Sequence, residues 1–442
     1  MSTIFRSPAP ERSHCVCCAK ARDRSPNLEP MMSDRTTRFD ASTVSEALSY
    51  DARYAHELPT GVASYAAFRE LVAIETADDL KRRVLDRLDH AGLAGATFYT
   101  TSGTSGEVKL LLNAPSRKRP DTTYGRSLAN ALAGTAIAPT DRVANLFTAG
   151  GFSTLYDGVN RLLEAIGANV LPIGRLDAYG ADLPAMLDLI GRARPNVLVG
   201  TPTSVLQCLR LLDAHGIDLD VAKILYTGEA FSERKRAIVR QRWRDAAFFG
   251  LYGTTETGFL GYHTPRCAQG HYHVFDEWFF LEEEDGQLLV TSRANPGLAM
   301  LRYRIGDRVR IGPSVCCTCG EGGSVVVLQG RADQRFKFAG NLVSAELLAQ
   351  RLAACAGRPL DCQFQLHADA LGRDCLTVAL DLDEDELAPL ASRLAAALLE
   401  IEDLRECVDK GEGRLMVLGR DALRFSARQK LPRLIDERHA HV

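Results

Sequence analysis

The stretch NVLVGTPTSVLQCLRLLDAHGIDLDVAKILYTG, residues 196–228, holds two short apolar runs separated by a longer amphipathic segment. The runs at 196–200 and 222–228 are predicted strands because they are short and apolar. The segment at 203–216 is a predicted helix because its apolar residues recur three and four positions apart. A strand, a helix and a second strand in this order predict a βαβ crossover within a parallel sheet.

The same alternation extends in both directions along the chain and predicts an α/β fold. Further strands are expected at 142–147, 168–174 and 246–253, and further helices at 156–167, 183–193 and 232–243. Such a sheet is covered by helices on both faces. Its ligands bind beyond the carboxyl ends of the strands, where several loops rich in glycine and threonine fall.

The regions outside this alternation suggest three parts of the chain. Residues 1–42 are rich in Pro, Ser and Arg and lack periodicity, which predicts a disordered N-terminal arm. After residue 258 the pattern changes to antiparallel strands, with a hairpin turn at Asp285-Gly286. We therefore expect a large domain over 43–332, with a β-rich segment at 259–329, and a small mobile α+β domain over 333–442.

Composition and charge point to an ordinary globular enzyme or binding protein. Hydrophobic residues make up 46% of the 442 positions and charged residues 25%, and the net charge is −3. This balance gives no reason to expect a nucleic-acid or membrane partner. The chain lacks an apolar run of the roughly 20 residues that span a bilayer, and its N-terminus does not resemble a secretory signal. The cytoplasm is the expected location.

Two loops combine glycine with hydroxyl side chains, as phosphate-binding loops do. The first is YTTSGTSGEVK at 99–109, whose glycines turn backbone N–H groups toward an anion and whose Lys109 adds a positive charge. It does not have the Walker A spacing, and a flexible linker is the alternative. The second is LYGTTETG at 251–258, where Glu256 offers a carboxylate to Mg²⁺ and Tyr252 a ring to a base. A turn capped by Glu256 is the alternative.

Three further motifs are weaker when taken singly. In YRIGD, 303–307, an Asp after a tight glycine turn can accept two ribose hydroxyls, whereas the alternative is a simple hairpin turn. GRADQRFK, 330–337, lies where the small domain is expected to begin. Taken alone, this motif suggests a polar linker between domains. SARQK, 426–430, is a basic loop that alone would be assigned to solvated surface.

In their order and spacing the five motifs resemble the adenylate-forming superfamily of acyl-CoA synthetases, nonribosomal adenylation domains and luciferases. Within it the chain is most similar to phenylacetate–CoA ligase-like enzymes, and the resemblance covers about residues 45–442. It implies that the chain uses ATP and Mg²⁺ to activate a carboxylic acid as an acyl-adenylate. The stretches that look most alike are at 146–152, 166–174, 198–206, 226–233 and 430–438.

The resemblance implies a role for each motif. Lys430 matches the catalytic lysine that bridges the substrate carboxylate and the α-phosphate, Glu256 matches the Mg²⁺ ligand, and Thr101 belongs to the catalytic loop. Asp333 matches the hinge between the two domains. Gln429 stands where glycine often precedes the lysine. ATP or AMP binding is implied for Ser102, Gly103, Thr104, Ser105, Gly106, Lys109, Gly228, Glu229, Tyr252, Gly253, Thr254, Asp307 and Arg331.

The 12 cysteines fall partly into clusters, which favours metal binding over disulfides. Cys267, His273, Cys317 and Cys319 supply three thiolates and one imidazole, a set that suits a structural tetrahedral Zn²⁺ site. Their C-x₅-H and C-x-C-G segments look similar to those of phenylacetate–CoA ligase-like sequences. His271 and Cys316 are alternatives for His273 and Cys317, and incidental buried cysteines are the remaining interpretation. No role is assigned to Cys15, Cys17 and Cys18.

The segment after residue 146 bears on the acid. Relatives that take α-amino acids usually place an Asp in this segment, whereas here the first carboxylate is Asp157. A substrate without an α-amino group is therefore expected, and an aryl or arylacetic acid is the leading choice. The expected pocket, which would otherwise be ordinary core, consists of Phe147, Gly150, Gly151, Phe152 and Tyr156. Coenzyme A is the acceptor that the resemblance implies, and the phosphopantetheine of a carrier protein or an amine are alternatives. The alternative function from another class is a non-catalytic scaffold that binds an adenylate. A homodimer is one of the assemblies that the chain could form.

Overall fold

The computed structural model describes residues 36–54, 62–88, 96–100, 110–113, 124–150, 154–313, 317, 319–332, 334–424 and 433–438. The helices are α1 Ala41–Ser49, α2 Tyr65–Leu71, α3 Ala77–Leu88, α4 Tyr124–Leu132, α5 Thr154–Ile166, α6 Leu183–Ala193, α7 Pro202–Ala214, α8 Glu233–Arg242, α9 Ala345–Ala356, α10 Glu384–Leu387, α11 Ala391–Leu399 and α12 Glu402–Asp409.

The strands of the described residues build one large sheet and three small ones. They are β1 Thr97–Thr100, β2 Leu110–Asn113, β3 Arg142–Asn145, β4 Asn169–Leu171, β5 Val197–Gly200, β6 Lys223–Tyr226, β7 Ala247–Thr254, β8 Gly258–His263, β9 His271–Val274, β10 Phe279–Glu284, β11 Gln287–Ser292, β12 Met300–Pro313, β13 Ser324–Arg331, β14 Arg335–Phe338, β15 Asn341–Ser344, β16 Cys362–Ala368, β17 Asp374–Leu380, β18 Gly413–Leu418 and β19 Leu434–Asp436.

One half of the large sheet is the predicted parallel α/β unit. Its strands pair in the order β4-β3-β5-β6-β7, each parallel to its neighbour. Alternate residues of β5 pack on opposite faces: Leu198 joins a core with α6, α7 and α8, whereas Val197 and Val199 join a core with α4 and α5. Because both faces are buried, the strand is apolar at every position, which is the pattern that the sequence displays.

The other half of the sheet is antiparallel and begins where the hydrophobic pattern changes. From β7 the order continues β8-β9-β13-β12-β11-β10. The hairpin between β10 and β11 turns at Asp285 and Gly286, both with positive φ, as predicted. A second turn, suggested by the sequence at Gly306 and Asp307, is not observed. Both residues lie inside the long strand β12, beside a register shift.

Helices at the beginning of the described chain pack on this antiparallel half. Asp40 caps α1 by accepting a hydrogen bond from the backbone N–H of Ser42, so the structured part begins before the predicted boundary at residue 42. Apolar residues of α1 and α2 form one core with Phe280 and Leu301 of the sheet. The N–H of Thr37 also donates to the carbonyl of Leu281, at the edge strand.

The described residues between 334 and 438 are called the C-terminal segment below. They form a four-stranded sheet in the order β18-β17-β16-β19, with α9, α11 and α12 packed on a core of their own. The hairpin of β14 and β15 belongs to the same core. The mixed α/β class expected from the sequence is confirmed. Within the described ranges, none of the helices is long and apolar enough to cross a bilayer.

Candidate active site

A cavity of about 1650 Å³ opens where the parallel and antiparallel halves of the large sheet meet. The carboxyl end of β6 and the loop after β7 contribute to its wall, as expected for a parallel sheet. Residues of β12 and β13 and the charged side chains Lys337 and Arg438 of the C-terminal segment complete it. The cavity therefore gathers residues from four of the five sequence motifs or their surroundings.

The turn between β7 and β8 is rigid because its threonines bond to each other. The N–H of Thr254 donates to Oγ1 of Thr257 and the N–H of Thr257 donates to Oγ1 of Thr254, each over 3.2 Å. A Cβ on Gly253 would lie 2.0 Å from the carbonyl oxygen of Gly258, so glycine is required there. The turn presents Glu256 to the cavity.

Asp307 is held by two donors on opposite sides of its carboxylate. The hydroxyl of Tyr252 donates to Oδ2 over 2.6 Å, and Nη1 of Arg331 donates to Oδ1 over 2.8 Å. Burial, followed by the negative charge of Asp307, raises the pKa of Tyr252, so this phenol remains a donor. A carboxylate fixed in this way is the kind of acceptor that two ribose hydroxyls require.

Glu229 also lines the cavity. Its Oε2 accepts a hydrogen bond from Oγ1 of Thr203 over 2.8 Å and lies 3.4 Å from Nζ of Lys235. Its Oε1 is buried and has no partner within the described part of the chain. An acceptor in this state favours a ligand that brings a donor, such as the exocyclic amine of a base.

Lys337 reaches the cavity from the C-terminal segment. Its Nζ donates to the carbonyl oxygen of Gly340 over 3.1 Å. Burial lowers its pKa, although the charges of Glu229 and Asp307 act in the opposite direction. A lysine among these groups adds positive charge where a nucleotide's phosphates or an anionic intermediate can be bound.

A separate cluster lies between β9 and the loop before β13. One ligand atom from each of Cys267, His273, Cys317 and Cys319 lies within 4.8 Å of the others. Nδ1 of His273 is 3.1 Å from the carbonyl of Gly322, which directs Nε2 toward Sγ of Cys319 at 3.0 Å. This imidazole orientation is typical of metal ligands.

The donor set of the cluster fits Zn²⁺. Three soft thiolates and one imidazole, mostly buried, are the ligands of closed tetrahedral zinc sites. Burial opposes ionisation of Cys317, but the N–H of Cys319 and the His273 ring outweigh it and lower the pKa of its thiol. His271 is not part of the group, and Cys316 lies outside the described residues.

Several predicted site residues come together in the cavity, and others lie outside the described residues. Those that line it are Gly228, Glu229, Tyr252, Gly253, Thr254, Glu256, Asp307 and Arg331. Those outside the described residues are Thr101, Ser102, Gly103, Thr104, Ser105, Gly106, Lys109, Gly151, Phe152, Asp333 and Lys430.

The predicted acid pocket and the observed cavity wall differ in their described residues. Phe147 belongs to the core beneath α4 and α5, and the hydroxyl of Tyr156 donates to the carbonyl of Pro172. Neither these two nor Gly150 is among the described residues that line the cavity. The apolar wall comes instead from residues that the sequence analysis did not single out: Leu155, Val159, Leu162, Tyr124 and Trp278. The first three share helical spacing on α5.

Comparison with known proteins relates this geometry to a class of enzymes. No protein-family profile matches the chain. Indoleacetate–lysine synthetase of Pseudomonas savastanoi is 29% identical over 387 residues, 85% of this chain and 93% of that protein. Phenylacetate–coenzyme A ligase of Escherichia coli K12 is 23% identical over 315 residues, 66% of this chain and 67% of that protein.

Among solved structures, the chain superposes on 2-hydroxyisobutyryl-CoA ligase. The structure in the thioesterification state, with 2-HIB-AMP and CoA, gives a TM-score of 0.61 at 16% identity and covers 90% of this chain and 87% of that one. The same ligase in the postadenylation state with 2-HIB-AMP gives 0.55 at 14% identity and the same coverage. The fold is that of the adenylate-forming enzymes. The resemblance to this superfamily that the motifs indicate is thereby confirmed.

Proposed function

We propose that the chain activates a carboxylic acid with ATP as an acyl-adenylate and then transfers the acyl group to an amine. The observation that carries the first step is that Glu256, Asp307, Arg331, Gly228 and Glu229 line one cavity. Asp307 would hold the ribose, and Glu229 would accept a hydrogen bond from the base.

The residues contribute binding and electrostatics, and no general base is needed for the first step. A carboxylate is already anionic, so repulsion and positioning make up its barrier to attack on the α-phosphate. Arg331 and Lys430 would reduce this repulsion, and pyrophosphate would leave. Glu256, a hard oxygen donor at the cavity wall, would hold Mg²⁺, which supplies charge neutralisation at the phosphates.

The relatives support an amine as acceptor. The synthetase named for indoleacetate and lysine aligns over 93% of its own length, whereas the coenzyme A ligase aligns over 67% and at lower identity. Coenzyme A is the second candidate. It is supported by the superposition on a ligase that is bound to CoA and by the partial match to phenylacetate–coenzyme A ligase.

An aryl or arylacetic acid is the proposed substrate class. The apolar lining of the cavity between α5, Tyr124 and Trp278 supports it, because flat rings bind between aliphatic and aromatic side chains. The ring of the acid would lie against these side chains, and its carboxylate would point toward the nucleotide.

The C-terminal segment is proposed to be the mobile part, and the cluster of Cys267, His273, Cys317 and Cys319 a structural zinc site. Movement of this segment about Asp333 would withdraw Lys430 after adenylation and admit the acceptor. The zinc would fix β9 and β13 behind the cavity wall. Four protein ligands of this kind are the donor set of closed structural sites, so the zinc would stabilise the fold and would take no part in the reaction.

ATP–pyrophosphate exchange tests the first half-reaction, with a panel of aryl, arylacetic, fatty and amino acids. We expect exchange that depends on an aryl or arylacetic acid. Lys430→Ala should reduce it about a hundredfold or more. Asp307→Ala should raise the KM for ATP about ten- to a hundredfold, since it removes hydrogen bonds to a charged group.

The matched control is Asp381→Asn, whose carboxylate pairs with Arg420 on the exposed surface. It should keep the wild-type exchange rate. Folded protein that binds ATP but exchanges with no acid would support the adenylate-binding scaffold instead. Transfer to lysine and to CoA, compared in the same protein, decides between the two acceptors.

A further inference from the structure

A buried ion pair joins the C-terminal segment to the parallel half of the large sheet. Nζ of Lys235, on α8, lies 3.1 Å from Oδ1 of Asp374, the first residue of β17. Lys235 is 3% exposed and Asp374 1%. Two other ion pairs, Arg175–Glu406 and Asp177–Lys410, also join these parts, but their side chains are partly exposed and contribute little.

Each member of the buried pair also has a partner on its own side. Nζ of Lys235 lies 3.4 Å from Oε2 of Glu229, on the sheet side. Oδ2 of Asp374 accepts a hydrogen bond from Nη1 of Arg438 over 2.8 Å, within the C-terminal segment. Arg438 also pairs with Asp436, whose Oδ2 lies 2.6 Å from Nη2. Negative and positive charges therefore alternate across the contact, from Glu229 to Asp436.

This pairing allows the contact to open without leaving an isolated charge. When the C-terminal segment moves away, Glu229 keeps Lys235, and Asp374 keeps Arg438. An unpaired buried charge is strongly destabilising, so a contact in which each central charge keeps a partner of opposite sign is easier to open and close. Burial opposes ionisation of both central groups, but their partners outweigh it, raising the pKa of Lys235 and lowering that of Asp374, so both remain charged.

The pair also fixes the hairpin of β14 and β15 at the cavity. The N–H of Ala339, in the hairpin turn, donates to Oδ2 of Asp374 over 2.9 Å. The next residue, Gly340, approaches Glu229 so closely that a Cβ there would lie 3.0 Å from Oε1. The same hairpin carries Lys337 into the cavity wall. The position of this lysine at the site therefore depends on the contact made by Asp374.

We propose that Lys235 and Asp374 form a latch that holds the C-terminal segment, with its β14–β15 hairpin and Lys337, in the arrangement for acyl transfer. The inference rests on the proposed function and deepens it. Both are positioning residues for the second half-reaction. Adenylate formation takes place with the latch open and does not need it.

Asp374→Asn is the first test, with Asp381→Asn as its matched control on an exposed pair of the same segment. Three quantities are measured: ATP–pyrophosphate exchange, single-turnover transfer from preformed acyl-adenylate to lysine or CoA, and hydrogen exchange of the backbone at 336–341. We expect Asp374→Asn to keep the exchange rate within about twofold, to slow transfer at least tenfold, and to speed hydrogen exchange at the hairpin. Asp381→Asn should change none of them.

Lys235→Gln is the second variant, because it leaves the Asp374–Arg438 pair intact should Asp374→Asn fold poorly. It should reduce transfer more than adenylation and loosen the same hairpin. Equal losses in both half-reactions, or unchanged transfer, would overturn the latch. If the wild type catalyses no exchange with any acid, the proposed function fails, and hydrogen exchange alone then decides: a loosened hairpin in both variants supports the latch, and an unchanged one refutes it.

Discussion

His263 lies at the end of β8 with its side chain buried, 2% exposed, between Tyr226 and Tyr272. Nδ1 is 3.0 Å from the carbonyl of His271, and Nε2 is 3.4 Å from Nη2 of Arg236. Burial lowers the pKa of His263 from 6.5 to about 4, and the nearby guanidinium acts in the same direction. The folded protein therefore holds this imidazole neutral where an unfolded chain would protonate it.

This histidine predicts a loss of stability in mild acid. Between pH 6.5 and 4 the unfolded chain binds more protons at this position than the folded one, so the free energy of unfolding falls as the pH falls. From pH 7 to pH 5 the contribution is about 2 kcal/mol. Urea unfolding at several pH values should give a shallower pH dependence for His263→Gln than for the wild type. The exposed His215→Gln should match the wild type, and identical slopes for all three would contradict the assignment.

The sequence singled out residues that belong to spaced motifs and did not single out isolated charged residues. Glu256 and Asp307 stand in recognisable strings, and both line one cavity. Lys235, Asp374 and Lys337 are single charged residues in otherwise ordinary elements, and the roles proposed for them come from contacts between distant segments. Asp374 and Lys235 are 1% and 3% exposed, which a sequence pattern of charged residues would not indicate.

At the scale of the element, the turn between β7 and β8 depends on its glycine. Gly253→Ala places a methyl group 2.0 Å from a backbone oxygen, so the two strands must separate. We expect the free energy of unfolding to fall by about 3 kcal/mol, as for overpacked interiors. Gly158→Ala is the control, since α5 has open space there and alanine favours the helix by about 1 kcal/mol. Denaturant unfolding should give a lower free energy of unfolding for Gly253→Ala and a higher one for Gly158→Ala. Changes of the same sign in the two variants would contradict this account.

The Cys/His cluster predicts metal-dependent stability of β9 and β13. We expect about one zinc ion per chain by elemental analysis, and a lower melting temperature after removal by a chelator. Cys319→Ser should lose the metal and melt at a lower temperature even without chelator. Cys355→Ser, in α9 and outside the cluster, should keep both metal and melting temperature. Metal content that is unchanged in Cys319→Ser would exclude the cluster as the binding site.

Helices and buried strands were predicted well because their periodicity reflects the faces they bury. The predicted strand at 196–200 and helix at 203–216 correspond to β5 and α7, within one or two residues. The turn at Gly306-Asp307 was wrong: a glycine before an Asp suggests a turn equally well when it marks an irregularity inside a long strand. Which of the two occurs depends on the pairing with β11 and β13, which a local pattern does not contain.

For the molecule as a whole, the position of a strand in the large sheet predicts its protection from hydrogen exchange. All four residues of β5 are buried, and it pairs with β3 and β6, whereas β4 is an edge strand with partly exposed residues. Amides of β5 should therefore exchange only through global unfolding, and those of β4 sooner, through local opening. Mass spectrometry of peptides from both strands measures the difference. Equal protection would indicate that β4 is covered in solution.

The domain boundary at residue 333 was inferred from a change of hydrophobic pattern and stays a prediction. The described residues after it have a sheet and a core of their own. The sequence pattern did not predict the contacts across that boundary. They join α8 to β17, and they depend on how segments that are far apart in the chain pack together. The sequence also suggested an acid pocket from aromatic residues near 147–156. Of the described aromatics there, Phe147 packs in the core, because adjacent sequence positions do not reveal which side of a strand or helix faces a cavity.

The docking of α1 and α2 also bears on how the chain folds during synthesis. Thr37 bonds to Leu281, 244 positions further on, and the apolar faces of both helices pack on Phe280 and Leu301. At typical translation rates these helices leave the ribosome roughly 10 to 50 s before their partners are made. Throughout that interval the nascent chain exposes the apolar faces of α1 and α2 that Phe280 and Leu301 cover in the folded protein.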